Sequence, residues 1–222
     1  MFYCQLPTLN GTPGARNSQL EGNIGPTCDG FGHSPAVPAA GEPVTVSVTA
    51  QDPAGVSACV VWYSATAAAW RTVAMTHLGG GRYQGTIPAQ AASALVQFYV
   101  EGTDGLGVKS TYPAAGSDSR AMYKVNDGLA VLGRVHNLRI VMTAADTSLL
   151  HTITNVMSND RLGCTVIYDE RRAFYDAGVR LKGSERGRDV SGRVGFNIRL
   201  DPDDRFRGVH ESIQVDRSGG WK

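Results

Sequence analysis

Residues 176–188, DAGVRLKGSERGR, combine a strand-like run with a basic loop that contains two glycines. Apolar side chains alternate with Arg180 and Lys182, which predicts a strand with one apolar face and one cationic face. In the loop, Gly183 lets the backbone approach a ligand closely, and the guanidinium of Arg186 suits phosphate or carboxylate. The pattern fits a phosphate-binding loop, and it is also typical of a solvated hairpin between two strands.

The sequence on both sides of this stretch predicts an antiparallel sheet with one helix. Further strand-like runs are LRIVMTA at 138–144, CTVIYD at 164–169, VGFNIRLD at 194–201 and SIQVD at 212–216. Thr143 and Asp146 form a capping-type helix start, and apolar residues at helical spacing predict a helix over 145–158. A helix followed by antiparallel strands indicates an α+β unit over residues 128–222.

Residues 41–127 have the pattern of a compact all-β unit. Short strand candidates separated by turn signals are VTVSVT at 44–49, ACVVWY at 58–63, WRTVAM at 70–75, RYQGTIP at 82–88, ALVQFYVEGTD at 94–104 and RAMYKVND at 120–127. This spacing predicts a β-sandwich, and the unit resembles an immunoglobulin-like or fibronectin type III-like domain. Trp62, Trp70 and Tyr99 are predicted to be core or face residues of the sandwich, with a ligand platform as the alternative.

The first 40 residues differ in character from the rest of the chain. Residues 1–40 are rich in Gly, Pro, Asn and Ser and have no sustained hydrophobic periodicity. We expect a flexible linker or the end of a preceding module there. The string TPGARNS at 12–18 resembles the closing segment of a lamin-tail domain.

The four cysteines have spacings that match no zinc motif, so no metal site is predicted from them. Cys59 and Cys164 lie in apolar strand-like runs and are predicted to be buried thiols. Cys4 and Cys28 lie in Gly- and Pro-rich sequence, where they can pair in an oxidising compartment or stay reduced.

Composition limits the classes of function. The chain has 222 residues, 42% of them hydrophobic, and a net charge of +1, which argues against bulk affinity for nucleic acid or membranes. Basic residues cluster between Arg180 and Arg217 and are interrupted by aspartates, a distribution that suits a small anionic ligand better than a duplex. No apolar run is long enough for a membrane span, and no signal peptide is visible at the N-terminus.

Residues 136–220 resemble the beginning of a CotH kinase family domain, an atypical protein kinase-like domain. The matching motifs are Ser158-Asn159-Asp160, GVRLKGS at 178–184, VGFNIRL at 194–200 and DRSGG at 216–220. The resemblance implies a bacterial parent protein, secreted or on the cell surface, that uses ATP and Mg²⁺ to phosphorylate protein hydroxyls. The predicted chain is therefore mainly β and multidomain, an immunoglobulin-like β-sandwich followed by an α+β kinase-like N-lobe fragment.

The resemblance makes five residues candidates for contact with phosphate or nucleotide: Arg180, Lys182, Gly183, Arg186 and Arg199. The alternative for Arg199 is a solvated strand charge. No catalytic residue and no metal ligand is assigned, because the acidic active-site residues of kinase-like proteins lie in the larger lobe. Since the sequence ends soon after the DRSGG motif, we expect a fragment that is inactive alone. The family often has paired lysines where this chain has Arg193-Val194-Gly195, which leaves the identity of the phosphate-binding cation open.

A second hypothesis is a surface adhesion or carbohydrate-contact module, in which the sandwich carries the function and the second unit is a spacer. The two hypotheses differ in one feature of the predicted sheet. A nucleotide lobe requires Arg180 and Lys182 to cluster with Arg199, whereas a spacer would leave these charges dispersed. The sequence predicts no oligomeric state.

Overall fold

The computed structural model describes residues 22–130, 133, 136–183, 188 and 194–216. These residues form fourteen strands and one α-helix, arranged in three antiparallel sheets. The prediction of a mainly β chain with more than one unit is confirmed. Within the same ranges, no helix is long and apolar enough to cross a membrane.

The first nine strands build two sheets. They are β1 (Thr27–Ser34), β2 (Val44–Gln51), β3 (Val56–Ala65), β4 (Arg71–Ala74), β5 (Thr76–Gly79), β6 (Arg82–Ile87), β7 (Leu95–Asp104), β8 (Lys109–Tyr112) and β9 (Met122–Lys124). One sheet has the order β1-β2-β6-β5, and the other has the order β4-β3-β7-β8, with β9 also paired to β7. All these pairs are antiparallel; short turns connect β5 to β6 and β7 to β8, whereas the β2–β6 and β3–β7 pairs join strands that are distant in the sequence.

The two sheets pack face to face around one core. Val46 of β2, Val61 of β3 and Phe98 of β7 are each 0% exposed and lie in the same apolar cluster. Residues along β2 and β7 alternate between buried and more accessible positions, as expected for a sheet with one face on a core. Burying such a side chain contributes roughly 1.5–3 kcal/mol, so this core stabilises the predicted sandwich.

The sandwich begins earlier in the chain than the sequence predicts. Strand β1 lies within residues 1–40, which the composition assigns to a linker, and it pairs with β2. Cys28 and Phe31 of β1 pack against the sandwich core. The strand is hard to recognise in the sequence because Gly30, with a φ of +61°, and a register shift beside it break the alternation. The lamin-tail-like segment and Cys4 lie outside the described residues.

The last five strands and the helix form a second unit. Its elements are β10 (Leu138–Val141), α1 (Ala144–Leu150), β11 (Leu162–Tyr168), β12 (Arg172–Lys182), β13 (Gly195–Arg199) and β14 (Ser212–Val215). All five strands that the sequence predicts here are present. The sheet order β10-β11-β12-β13-β14 follows the chain, so each strand pairs with its neighbour in sequence. Val179, Leu181 and Ile198 lie in a core that Leu150 of α1 also joins.

The helix is shorter than predicted. It begins as expected, because the Thr143 side chain accepts a hydrogen bond from the backbone N–H of Asp146. It ends at Leu150 and does not continue to residue 158. Beyond this point the Asn155 side chain donates to a helix carbonyl, and a run of β-branched residues competes with helical hydrogen bonding. Ile153, one of the apolar residues at helical spacing that predict a helix over 145–158, is 76% exposed.

The sandwich covers part of one face of the third sheet. The backbone N–H of Met122 in β9 donates to Thr165 Oγ1, and Met122 packs with Ile167 of β11. Tyr175 of β12 packs against the sandwich core, and its hydroxyl is hydrogen-bonded to the ring of His33 in β1. The rest of this sheet face lies beyond Tyr175, towards the end of β12, and it carries the candidate site.

The two predicted buried thiols are confirmed. Cys59 lies in the sandwich core and Cys164 in the core of the second unit, and both are free. Burial raises the pKa of each to about 12, so both stay protonated at neutral pH.

Candidate anion-binding site

Three of the predicted contact residues share one face of the third sheet. Arg180 lies opposite Asn197 in the β12–β13 register, and Arg199 lies two pairs further along, opposite Gly178. Directly opposed residues of an antiparallel pair point to the same face, and Lys182 follows Arg180 by two positions. Arg180, Lys182 and Arg199 therefore lie together, while Leu181 between them points into the core.

The structure adds Arg161, which sequence analysis does not single out. Its side chain lies over Gly178 of β12, where an added Cβ would be only 3.0 Å from the Cβ and Cδ of Arg161. Its Nη2 donates to Asn197 Oδ1 at 2.8 Å. The one sequence signal for this contact is Gly178, because a glycine inside a strand marks a close approach by another group. We call Arg161, Arg180, Lys182 and Arg199 together the cationic face.

Within the described ranges, the arginines of the cationic face lack direct carboxylate partners. No carboxylate among the described residues forms an ion pair with Arg161, Arg180 or Arg199. Burial, and then the nearby Arg180 and Arg199, lower the pKa of Arg161, although a guanidinium stays protonated at physiological pH. Lys182 pairs with Asp216 at 2.7 Å, but Asp216 is 77% exposed and solvent screens the pair. The face therefore carries positive charge that a ligand anion can neutralise.

Two arginines of the cationic face donate to asparagine side chains, which are neutral, and not to carboxylates, which would neutralise their charge. Arg180 Nη1 donates to Asn159 Oδ1 at 3.0 Å, just as Arg161 donates to Asn197. An amide oxygen satisfies the donor without cancelling the charge of the guanidinium. Because a charged phosphate oxygen is a stronger acceptor than an amide oxygen, an incoming phosphate can displace these amides.

The guanidinium of Arg188 is buried beside the cationic face, and its hydrogen bonds to the protein leave it unable to contact a ligand. Arg188 is 7% exposed. Its Nε donates to the Gly183 carbonyl at 2.8 Å, its Nη1 to the Ser158 carbonyl at 3.0 Å and its Nη2 to Asn159 Oδ1 at 3.3 Å. These bonds tie the end of β12 to the turn that carries Asn159. They thereby fix the amide that holds Arg180.

The two remaining predicted contact residues belong to the loop after β12. Gly183 has a φ of +117°, a backbone conformation that residues with a side chain rarely adopt. The turn thus requires a glycine, and contact between Gly183 and a ligand stays a prediction. Arg186 lies outside the described residues, so its role also stays a prediction.

Four motifs that are far apart in the sequence meet at the cationic face. Asn159 comes from the Ser-Asn-Asp turn, Arg180 and Lys182 from β12, Arg199 from the phenylalanine-centred strand β13, and Asp216 from the start of the DRSGG motif. Asp216 is the part of that last motif that the structure describes. Side chains from positions 159 to 216 thus build one site from these motifs.

The donor set of this face suits an anion and does not suit a metal ion. Guanidinium and ammonium groups donate to phosphate, sulfate or carboxylate oxygens, whereas Mg²⁺ itself takes oxygen ligands. Among the described residues, no group of three or more His, Cys, Asp or Glu side chains could hold a metal ion. The residues present fit the phosphates of a nucleotide.

Comparison with known proteins gives low similarity throughout. No protein-family model and no curated protein sequence matches the chain. The Br derivative of BhCBM56 is similar to 48% of this chain and 96% of its own, at 11% identity and a TM-score of 0.29. A cycloalternan-forming enzyme from Listeria monocytogenes, solved with a pentasaccharide substrate, is similar to 78% of this chain, at 13% identity and a TM-score of 0.35.

An uncharacterized protein of Listeria monocytogenes EGD-e, solved with glucose, magnesium and calcium, is similar to 86% of this chain, at 10% identity and a TM-score of 0.35. The chain spans only 14% and 17% of the lengths of the two Listeria proteins. These identities and TM-scores are too low to assign a family or a function.

Proposed function

We propose that the second unit is part of a nucleotide-binding lobe and that its cationic face contacts the phosphates of ATP. The observation that carries this proposal is the convergence of Arg161, Arg180 and Arg199 on one sheet face with amide acceptors and, among the described residues, without paired carboxylates. The resemblance to CotH kinases supplies the nucleotide and the parent activity, phosphoryl transfer to protein hydroxyls. The same resemblance suggests a secreted or cell-surface location.

Phosphate neutralisation is the part of phosphoryl transfer that this face can perform. A nucleotide triphosphate needs several cations around its oxygens, and a guanidinium can donate two parallel hydrogen bonds to one phosphate. Lys182 supplies a point charge, and its bond to the exposed Asp216 is easily exchanged for a bond to phosphate. We assign no catalytic step to the described residues.

The arrangement favours this proposal over the surface-module alternative. A spacer would leave the charges of β12 and β13 dispersed and compensated by surface carboxylates. Instead, burial and then the proximity of Arg180 and Arg199 lower the pKa of Arg161. Holding like charges together costs free energy, so such a cluster is a candidate functional site.

A calorimetric titration of the 222-residue chain with ATP, with and without Mg²⁺, tests the proposal. The variant carries Arg180→Ala and Arg199→Ala. The matched control carries Arg71→Ala and Arg82→Ala, which remove the same charge from exposed positions on the sandwich. We expect saturable binding that the site variant weakens by about tenfold or more and the control leaves unchanged. Equal affinity in all three proteins, or no saturable binding, would contradict the proposal.

A ligand series separates phosphate contact from contact with the base. Inorganic triphosphate, ATP, ADP, AMP and adenosine are compared under the same conditions. If the cationic face binds phosphate, affinity falls as phosphates are removed and weakens as salt is added. If adenosine binds as tightly as ATP, the phosphate assignment is wrong.

A further inference from the structure

Three aromatic side chains lie on the outward face of the second sandwich sheet. Val61 and Phe98 point into the core, so the alternation places their neighbours Trp62 and Tyr99 on the opposite face. Trp62 of β3 lies directly opposite Tyr99 of β7. Trp70 joins them from the segment that precedes β4. We call these three residues the aromatic face.

The rings form one contiguous cluster that remains partly exposed. The rings of Trp62 and Tyr99 are nearly parallel, with an interplanar angle of 5° and centroids 6.1 Å apart. Trp70 meets Tyr99 edge-on, at 65° and 5.1 Å. The segment before Trp70 is pinned, because Ser64 Oγ donates to the Ala68 carbonyl at 2.6 Å. The cluster is therefore preorganised, which lowers the entropy cost of binding a ligand.

The rim of the aromatic face is polar, and its charges are balanced. Thr72, opposite Trp62 in the register with β4, is exposed. Glu101 lies two positions beyond Tyr99 and is paired with Lys109 at 2.8 Å. Gln97, two positions before Tyr99 on the same strand face, has its amide held by the backbone carbonyls of Ser117 and Ser119. The cluster thus combines apolar ring surface with a rim of polar groups whose charges cancel.

We propose that the aromatic face binds a neutral carbohydrate, with pyranose rings packed against Trp62 and Tyr99 and bordered by Trp70. A pyranose has an apolar C–H face and a rim of hydroxyls, which matches aromatic surface edged by neutral polar groups. The balanced Glu101–Lys109 pair gives no attraction for a charged ligand. This inference is independent of the proposed nucleotide site.

The size of the aromatic face argues against a protein as the occupant. Three partly exposed aromatic side chains offer at most about 300 Å² of accessible surface. A stable protein partner needs about 800 Å² on each side of the interface. One or two sugar rings need far less, so a carbohydrate fits the area and a second protein chain does not.

The test is a titration of the full chain with cellohexaose, maltohexaose, laminarihexaose, mannohexaose and chitohexaose, each followed by calorimetry and tryptophan fluorescence. We expect saturable binding of at least one oligosaccharide, with a change in fluorescence. Trp62→Ala and Trp70→Ala should each weaken that binding by about tenfold or more, because each removes ring surface that the sugar covers. Circular dichroism and thermal unfolding check that each variant is folded, and Trp70→Ala, outside the strands, serves if Trp62→Ala does not fold.

Two control variants show whether sugar binding depends on the aromatic face itself. Tyr112→Leu removes an exposed aromatic ring outside the cluster and should leave sugar binding unchanged. The Arg180→Ala and Arg199→Ala variant should also bind sugar normally while its ATP affinity falls by about tenfold or more. No binding of any of the five oligosaccharides up to about 10 mM, or binding that survives both tryptophan substitutions, would overturn the inference. Self-association of the chain that Trp70→Ala abolishes would identify a second copy as the occupant and would also overturn it.

Discussion

The junction between the two units and the cationic face both concentrate basic side chains, but they treat the charge in opposite ways. At the junction, Arg139 of β10 donates to Asp127 at 2.9 Å and to Glu170 at 2.6 Å, and Lys124 pairs with Asp127 at 2.9 Å. On the cationic face, the corresponding donors of Arg161 and Arg180 meet amide oxygens.

The pKa directions express the same difference. The hydrogen bond to Glu170 is the main cause that raises the pKa of Arg139. Burial, followed by the proximity of Arg180 and Arg199, lowers the pKa of Arg161. Arg139 is thus held by two carboxylates, whereas Arg161 has no carboxylate partner among the described residues and keeps an uncompensated charge. Arg139 therefore has a structural role, and we infer ligand contact for Arg161.

The largest effect is expected from Arg139→Ala. The side chains of Asp127 and Glu170 are 6% and 13% exposed, so the substitution leaves two largely buried carboxylates without their guanidinium. We expect the free energy of unfolding to fall by about 3–5 kcal/mol, measured by urea denaturation. Arg139→Lys keeps the positive charge but loses the two-pronged guanidinium, so its free energy of unfolding should lie between those of the wild type and Arg139→Ala. If the free energy of unfolding falls no more than it does for a surface substitution, Arg139 does not have the structural role inferred for it.

Acid should weaken the junction through His33. Ala36 supplies only a carbonyl, so Nε2 of His33 donates to it, and Nδ1 accepts from the Tyr175 hydroxyl at 2.6 Å. Burial lowers the pKa of His33 to about 4 from its ordinary 6.5. Between these values the unfolded chain binds more protons, so stability is full above pH 6.5 and falls as the pH drops towards 4.

This loss should amount to about 3 kcal/mol between pH 6.5 and 4, which urea denaturation at a series of pH values can measure. His33→Gln has no titrating ring and should reduce the slope over this range. Carboxylates contribute equally to both proteins, so the difference between them isolates His33. Parallel pH profiles for the two proteins would show that His33 has no such role.

Arg188→Ala tests whether Arg188, a buried arginine near the cationic face, stabilises the fold or binds phosphate directly. This guanidinium donates to backbone carbonyls and to Asn159, as a structural cation would. Removing it takes the guanidinium donor away from the partly buried carbonyls of Gly183 and Ser158, and we expect a loss of about 2 kcal/mol in unfolding free energy. Phosphate affinity should also fall, because Asn159 no longer holds Arg180 in place. Unchanged stability would place Arg188 with the ligand-binding cations.

The smallest stability effect is expected from Arg161→Gln. The side chain has no carboxylate partner among the described residues, and its removal relieves repulsion with Arg180 and Arg199. The free energy of unfolding should change by no more than about 0.5 kcal/mol in thermal or urea unfolding. ATP affinity should nevertheless fall by about tenfold. A large loss of stability would mean that Arg161 serves the fold, as Arg139 does.

The placement of the cationic side chains can be predicted from the sequence in the strands whose apolar and polar residues alternate clearly. The period-2 pattern of β12 correctly places Arg180 and Lys182 on one face, and the pattern of β13 adds Arg199. Arg161 could not be predicted, because its position depends on the register that sets it over Gly178.

The two elements that the sequence predicts incorrectly have physical causes of the same kind. Strand β1 is supported by pairing with β2 and by a core it shares, not by its own glycine-rich sequence. The helix stops early because local side-chain bonds after Leu150 compete with helical ones. In both cases contacts made by neighbouring residues override the local propensity.

An NMR titration of the arginine Nε–H signals with inorganic triphosphate would separate the two groups of cations in one experiment. We predict saturable shifts for Arg161, Arg180 and Arg199 with one shared affinity, and no shift for Arg139, whose Nε–H donates to Glu170. Shifts of equal size at Arg139, or unmoved signals from the three arginines of the cationic face, would contradict the assignment of that face to phosphate binding.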